Sequence, residues 1–132
     1  MAALPADSPV FTPPRAGPLN PRFARELAAF AAKSQQCGAR FFVSWPAIVE
    51  EAFTPAEPAV ARLRAELAAL PGVTLLGEPR DHVFDRSRGF DLTYHLNAAG
   101  AQWRTERLLR RLHEAGLVKA VPQSGTGSPP SG

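Results

Sequence analysis

The segment Phe90-Asp91-Leu92-Thr93-Tyr94-His95-Leu96-Asn97-Ala98-Ala99-Gly100 sets a carboxylate four residues before a histidine. A carboxylate that bonds one ring nitrogen of an imidazole fixes its tautomer and stabilises the imidazolium. The other nitrogen can then act as a general base. Asp91 and His95 are therefore the candidate catalytic residues. A base of this kind needs a nucleophile to activate, most often a serine or cysteine. Ala6-Asp7-Ser8-Pro9 contains Ser8, but no apolar strand precedes it and no helical pattern follows. It lacks the strand–turn–helix setting that exposes a nucleophilic serine. The pair reads as the base half of an enzyme site whose nucleophile is missing.

The other residue types that could do chemistry are sparse. Cys37 is the only cysteine, which excludes an internal disulfide and argues against a zinc site. It stands at the end of a helical stretch, where packing accounts for it. His82 and His113 have no metal-like spacing with each other or with Cys37, and both read as solvated. No metal or cofactor is expected. Trp45, before Pro46, could line a pocket at a strand end or belong to the core; Arg88 and Tyr94 would border such a cleft only by proximity. Simpler roles also stand for the central motif. Asp91 suits a turn after Gly89, His95 a helix entry beside Tyr94, and Asn97 a helix cap.

Charge narrows the partners. Arg104, Arg107, Arg110, Arg111 and Lys119, set against Glu106 and Glu114, account for the whole net charge of +3. Cations late in a helix are favoured by its dipole, and no aromatic interleaving accompanies them, so nucleic-acid binding is not expected. No apolar run approaches the length that spans a bilayer, and Met1 to Pro5 shows no basic-then-apolar signal pattern. The compartment stays unknown, with the cytoplasm as default.

The elements that must position Asp91 and His95 are legible from pattern. Five prolines at positions 5, 9, 13, 14 and 18 mark residues 1–19 as a flexible leader, and the Pro/Gly/Ser-rich stretch 120–132 as a disordered tail. Residues 20–119 form the foldable unit. Asn20-Pro21 caps a helix whose stripe is Phe23, Leu27, Phe30 and Ala31, ended by Gly38. Phe41-Phe42-Val43 follows as a buried strand terminated by Ser44-Trp45-Pro46. Thr54-Pro55-Ala56-Glu57 reads as a capping box opening a helix with Val60, Leu63, Leu67 and Leu70 on one face. Val73-Thr74-Leu75-Leu76 is a second strand. A polar loop from Gly77 to Gly89 leads to the central motif, and Asn97 caps a last helix ended by Gly116. Alternating helices and strands of this length imply an α/β fold with parallel strands joined by crossovers. Two strands make a poor parallel sheet, so further strands are expected from another segment or another chain.

The strand ending in Ser44-Trp45-Pro46, the crossover helix, the short strand and Asp91-x-x-x-His95-Leu96-Asn97-x-x-Gly100 together resemble the C-terminal half of SGNH/GDSL-type hydrolases. The resemblance covers about residues 22 to 113. It implies a partial flavodoxin-like three-layer α/β/α fold with a small parallel sheet. It also implies a serine ester hydrolase in which His95 is the general base and Asp91 orients it. The common family spacing is Asp-x-x-His, one residue shorter than here. The family's Gly-Asp-Ser nucleophile block and its Gly and Asn oxyanion donors have no counterpart in this sequence. On this resemblance the chain is a fragment of an ester hydrolase, inactive alone, whose complete form takes an ester substrate. The alternative is a non-catalytic remnant or interaction module. In either case the unpaired sheet edge would bind a partner segment or a second copy.

Overall fold

The computed structural model describes residues 13, 17–91 and 93–119. Most of the proline-rich leader, including Ser8, and the whole of 120–132 lie outside the described residues.

Asn20 begins the first helix, α1 (Pro21–Gln36), as its residue type predicts: its side-chain oxygen accepts from the backbone N–H groups of Arg22 and Phe23. After the helix, Gly38 takes a φ of +74°, a left-handed conformation that glycine adopts without cost. Ala31 is the buried residue of α1, lying against the turn at Gly72. Phe30 meets Phe41 edge-to-face at 5.2 Å. The remaining stripe is not covered. Phe23 is 51% and Phe30 60% exposed. Cys37 is exposed as well, which corrects its reading as a packing residue.

The chain then enters β1 (Phe42–Val43), and β2 (Ile48–Val49) follows four residues later. Ser44-Trp45-Pro46 interrupts the strand rather than ending it, because proline has no N–H to donate to a ladder. Helix α2 (Glu50–Ala68) starts directly after β2, four residues before the expected capping box. Two first-turn acids, Glu50 and Glu51, suit the positive end of the helix dipole there. Thr54 does not cap: its hydroxyl donates to the Glu50 carbonyl one turn back. Pro55 and Pro58 thus sit inside the helix. Burial of Ala52, Phe53 and Ala56 holds that first stretch helical despite them.

Beyond α2 the expected second strand is β3 (Thr74–Leu75), preceded by Gly72 at φ +74°. The polar stretch after it is more structured than its composition suggests. It holds a short 3₁₀ turn, Pro79–His82, then β4 (Val83–Phe84), then a second 3₁₀ turn, Arg86–Arg88. Asn97 caps α3 (Ala98–Glu114) through Gly100 N–H, and Gly116 follows at φ +67°.

The four short strands form two parallel ladders. β1 pairs with β3 (Phe42 opposite Thr74, Val43 opposite Leu75), and β2 pairs with β4 (Ile48 opposite Val83, Val49 opposite Phe84). The paths 42–49 and 74–84 therefore run in one direction, with residues 44–47 and 76–82 lying between the ladders and Leu76 N–H still donating to the Val43 carbonyl at 2.8 Å. Trp45 bridges that interruption, its indole N–H donating to the Gly77 carbonyl at 3.2 Å. The architecture is α/β. Its core is Ala47, Ile48, Val49, Ala52, Phe53 and Phe84, with Leu96 and Trp103 packed against it. Both α2 and α3 contribute to this core, and Trp103 meets Phe84 edge-to-face at 6.4 Å. Among the described residues, no helix is long and apolar enough to cross a membrane.

Candidate active site

The segment that carries Asp91 and His95 is a tight loop held at its base and at its middle. Gly89 and Leu96 pair as an antiparallel bridge. Phe90 N–H donates to the His95 carbonyl at 2.8 Å, and Asn97 N–H to the Arg88 carbonyl at 2.9 Å. At the centre of the loop, the buried Thr93 accepts from Val49 N–H at 3.0 Å. Val49 is the last residue of β2, so this bond fastens the loop to the C-terminal end of the β2/β4 ladder. Ligands of open α/β sheets bind at that end of the strands.

Within the loop, His95 Nδ1 lies 2.6 Å from Asp91 Oδ1, a short, charge-assisted distance. The two side chains are about half exposed, 54% and 48%. Backbone pairing on both sides of the loop turns a four-residue separation in sequence into contact in space. With Nδ1 turned to the carboxylate, Nε2 is the nitrogen left for proton transfer. Among the described residues, no hydroxyl or thiol hydrogen-bonds to His95. The nearby Ser87 hydroxyl is engaged with Asp85.

Asn97 and Gly100 join the loop to α3. Asn97 Oδ1 accepts from Gly100 N–H at 2.9 Å, while its Nδ2 donates to the carbonyls of Ser87 at 2.7 Å and Gly89 at 3.2 Å. One side chain thus caps the helix and pins the start of the loop. Gly100 is buried where a Cβ would collide with the Arg88 carbonyl and come within 2.9 Å of Leu96. Only glycine lets α3 approach this closely. Asn97 is the helix cap its residue type predicts, and it has a positioning task as well.

Of the other candidates, Trp45 is buried between the two ladders, and its indole is committed to Gly77. Arg88 stacks its guanidinium over Trp103 at 5.1 Å and pairs with Asp85 at 3.7 Å. Tyr94 is exposed on the loop. His82, read as solvated, is 3% exposed. Its place at the end of the Pro79–His82 turn, beneath α3, depends on tertiary packing that local sequence does not encode. Among the described residues, no group of three His, Cys, Asp or Glu side chains is arranged to hold a metal ion.

The chain matches no family model, no curated protein and no solved structure.

Proposed function

We propose that this chain supplies the Asp–His part of an SGNH-type ester hydrolase site, with His95 as general base and Asp91 as the carboxylate that orients it. One observation carries the reading. The Asp91–His95 bond of 2.6 Å stands half exposed at the C-terminal end of a parallel ladder, with Nε2 bonded to none of the described residues. In the complete site a serine attacks the ester carbonyl while His95 Nε2 takes its proton. The same nitrogen then returns the proton to the leaving alkoxide. Water, deprotonated by His95, releases the acid from the acyl-serine. The substrate class is an ester, such as an acyl or acetyl group on a carbohydrate. The serine and the oxyanion donors come from a segment that pairs with the sheet edge and completes a flavodoxin-like α/β/α sheet.

A second reading rests on a different observation, the exposure of Phe23 and Phe30 on α1. It takes the chain as an interaction module in which the Asp–His contact only stabilises the loop.

One experiment separates them. The DNA immediately upstream, and the neighbouring genes, are searched for a Gly-Asp-Ser block, and that segment is co-expressed with this chain. The hydrolase reading expects serine labelling by a fluorophosphonate probe and turnover of p-nitrophenyl acetate, both lost in His95→Ala. A co-purifying partner segment without such a serine, or turnover indifferent to His95, leaves the interaction module as the better account.

A further inference from the structure

We infer that the cavity between the Pro79–His82 turn and the C-terminal half of α3 is a binding site for a small oxyanion of the phosphate class. The cavity holds about 100 Å³ and is lined by Asp81, His82, Arg107, Arg110, Arg111 and Glu114. His82 is 3% exposed, and its Nε2 is enclosed without a hydrogen-bond partner among the described residues. Buried polar atoms in folded proteins are almost always paired, so an unpaired one marks a place that a ligand completes.

The charges on the wall decide the sign of that ligand. Both carboxylates are already engaged by one guanidinium. Arg111 reaches Asp81 Oδ2 at 2.6 Å and Glu114 Oε2 at 2.8 Å. Asp81 Oδ2 accepts Glu78 N–H as well, at 2.9 Å. Among the described residues, Arg107 and Arg110 face no carboxylate of their own, and the wall as a whole keeps one positive charge. Arg107 is held in place by donating to the Asp81 carbonyl at 2.9 Å and by lying over the Trp103 ring at 4.9 Å. Arg110, one turn from it on α3, forms no ion pair among the described residues.

Three guanidiniums against two carboxylates leave the wall one net positive charge, and protonation of His82 adds a second; a phosphate-class oxyanion matches that sign, and its tetrahedral oxygens can accept from Arg107 and Arg110 while another accepts from His82 Nε2. The volume admits a phosphate-sized group and little more. Gly77, at φ +80°, packs closely behind these side chains: a Cβ there would sit 3.2 Å from Asp81 Oδ2, 3.4 Å from Arg111 Nε and 3.6 Å from His82 Nε2. The site is separate from the Asp91–His95 loop, because Asn97 and Arg110 lie about 20 Å apart along α3 at 1.5 Å per residue.

The titration of His82 supports the same conclusion. Burial pushes its imidazole below the usual histidine range. Arg104, Arg107 and Arg111 push it further, against the opposing pull of Asp81. An anion in the cavity reverses that field, so binding and protonation of His82 must favour each other.

The full chain is titrated with inorganic phosphate and, separately, glycerol 2-phosphate, with sodium chloride at matched ionic strength as control. The readouts are the His82 ring resonances and thermal stability. Saturable shifts in either phosphate arm, absent in chloride, are expected. Binding of both assigns the site to esterified phosphate as well as the free ion. Arg110→Ala, at an exposed side chain whose loss leaves the fold intact, is expected to weaken Kd about tenfold, the worth of one charge-assisted contact. Arg62→Ala on the exposed face of α2 should leave Kd unchanged. No saturable response in either arm, or equal responses from Arg110→Ala and the unaltered chain, overturns the proposal.

Discussion

At the scale of single residues, two histidines in similar sequence surroundings meet opposite fates. His95 stands in solvent against a carboxylate, and His82 is sealed beneath α3 among arginines. For His95 the prediction concerns activity. In the complemented enzyme, Asp91→Asn should keep the loop in place yet lower kcat on the order of 100-fold or more, because the amide no longer fixes the tautomer or balances the imidazolium. Steady-state kinetics check it, and an unchanged kcat would make Asp91 a turn residue only. For His82 the prediction concerns stability. Its folded-state pKa is held down by burial and by the neighbouring guanidiniums. Protons therefore bind the unfolded chain first as pH falls below the ordinary histidine value of about 6.5. Stability is complete above that value and declines as pH drops through the folded pKa. Asp81, which the Glu78 backbone N–H and then Arg111 hold low against the opposing effect of burial, loses its contribution only below about pH 4, so the two windows separate. Thermal melts in phosphate-free buffer should show the decline between about pH 7 and 5, and His82→Gln should flatten it.

At the scale of elements, the features legible in the sequence are those fixed by local chemistry. Asn20 and Asn97 cap helices because a short amide reaches the first turn, and Gly38 and Gly116 follow helices because they adopt positive φ at no cost. The Asp91–His95 contact was legible for the same reason, since its partners lie within one small loop. The misread elements depend on distant residues. Thr54-Pro55-Ala56-Glu57 has the right composition for a helix start, but β2 delivers the chain into α2 four residues earlier. Val83-Phe84, flanked by His82 and Asp85, is a strand only because Ile48 and Val49 pair with it. Two predictions follow from how α3 holds the loop. Gly100→Ala should destabilise the fold by about 2 kcal/mol or more, since the added methyl meets a backbone carbonyl that cannot move aside cheaply. Asn97→Ala should cost about 1–2 kcal/mol through the lost cap. Chemical denaturation measures both. Tolerance of Gly100→Ala without loss would mean that α3 can shift away from the Arg88 carbonyl at little cost.

At the scale of the whole molecule, burial is uneven. The core of Ile48, Val49, Phe53 and Phe84 sits around the β2/β4 ladder, enclosed by α2, α3 and the loop. Among the described residues, the β1/β3 ladder has no comparable cover. Its strands are two residues long and only partly buried, and beside them α1 presents Phe23 and Phe30 to solvent with Phe41 at its edge. Ladder edges with unpaired backbone groups, next to exposed aromatics, are templates for pairing with another chain. The ion pairs of the neighbouring surface do not offset this. Arg64–Glu78 and Arg80–Glu57 are exposed, and solvent screening leaves such pairs little net effect on stability. The same edge is where the proposed function needs a completing segment, and in its absence a second copy is the nearest substitute. The isolated chain is therefore expected to self-associate, with a sedimentation profile and a melting temperature that both rise with protein concentration. Phe30→Ser should weaken the association. It should leave the melting temperature at high dilution nearly unchanged, because that ring is 60% exposed and its loss opens little cavity. A chain that stays monomeric at every concentration, with one sharp transition, would show that the two ladders suffice as a fold. The completing segment would then have no edge that requires it, and the Asp91–His95 pair would have to find its serine some other way.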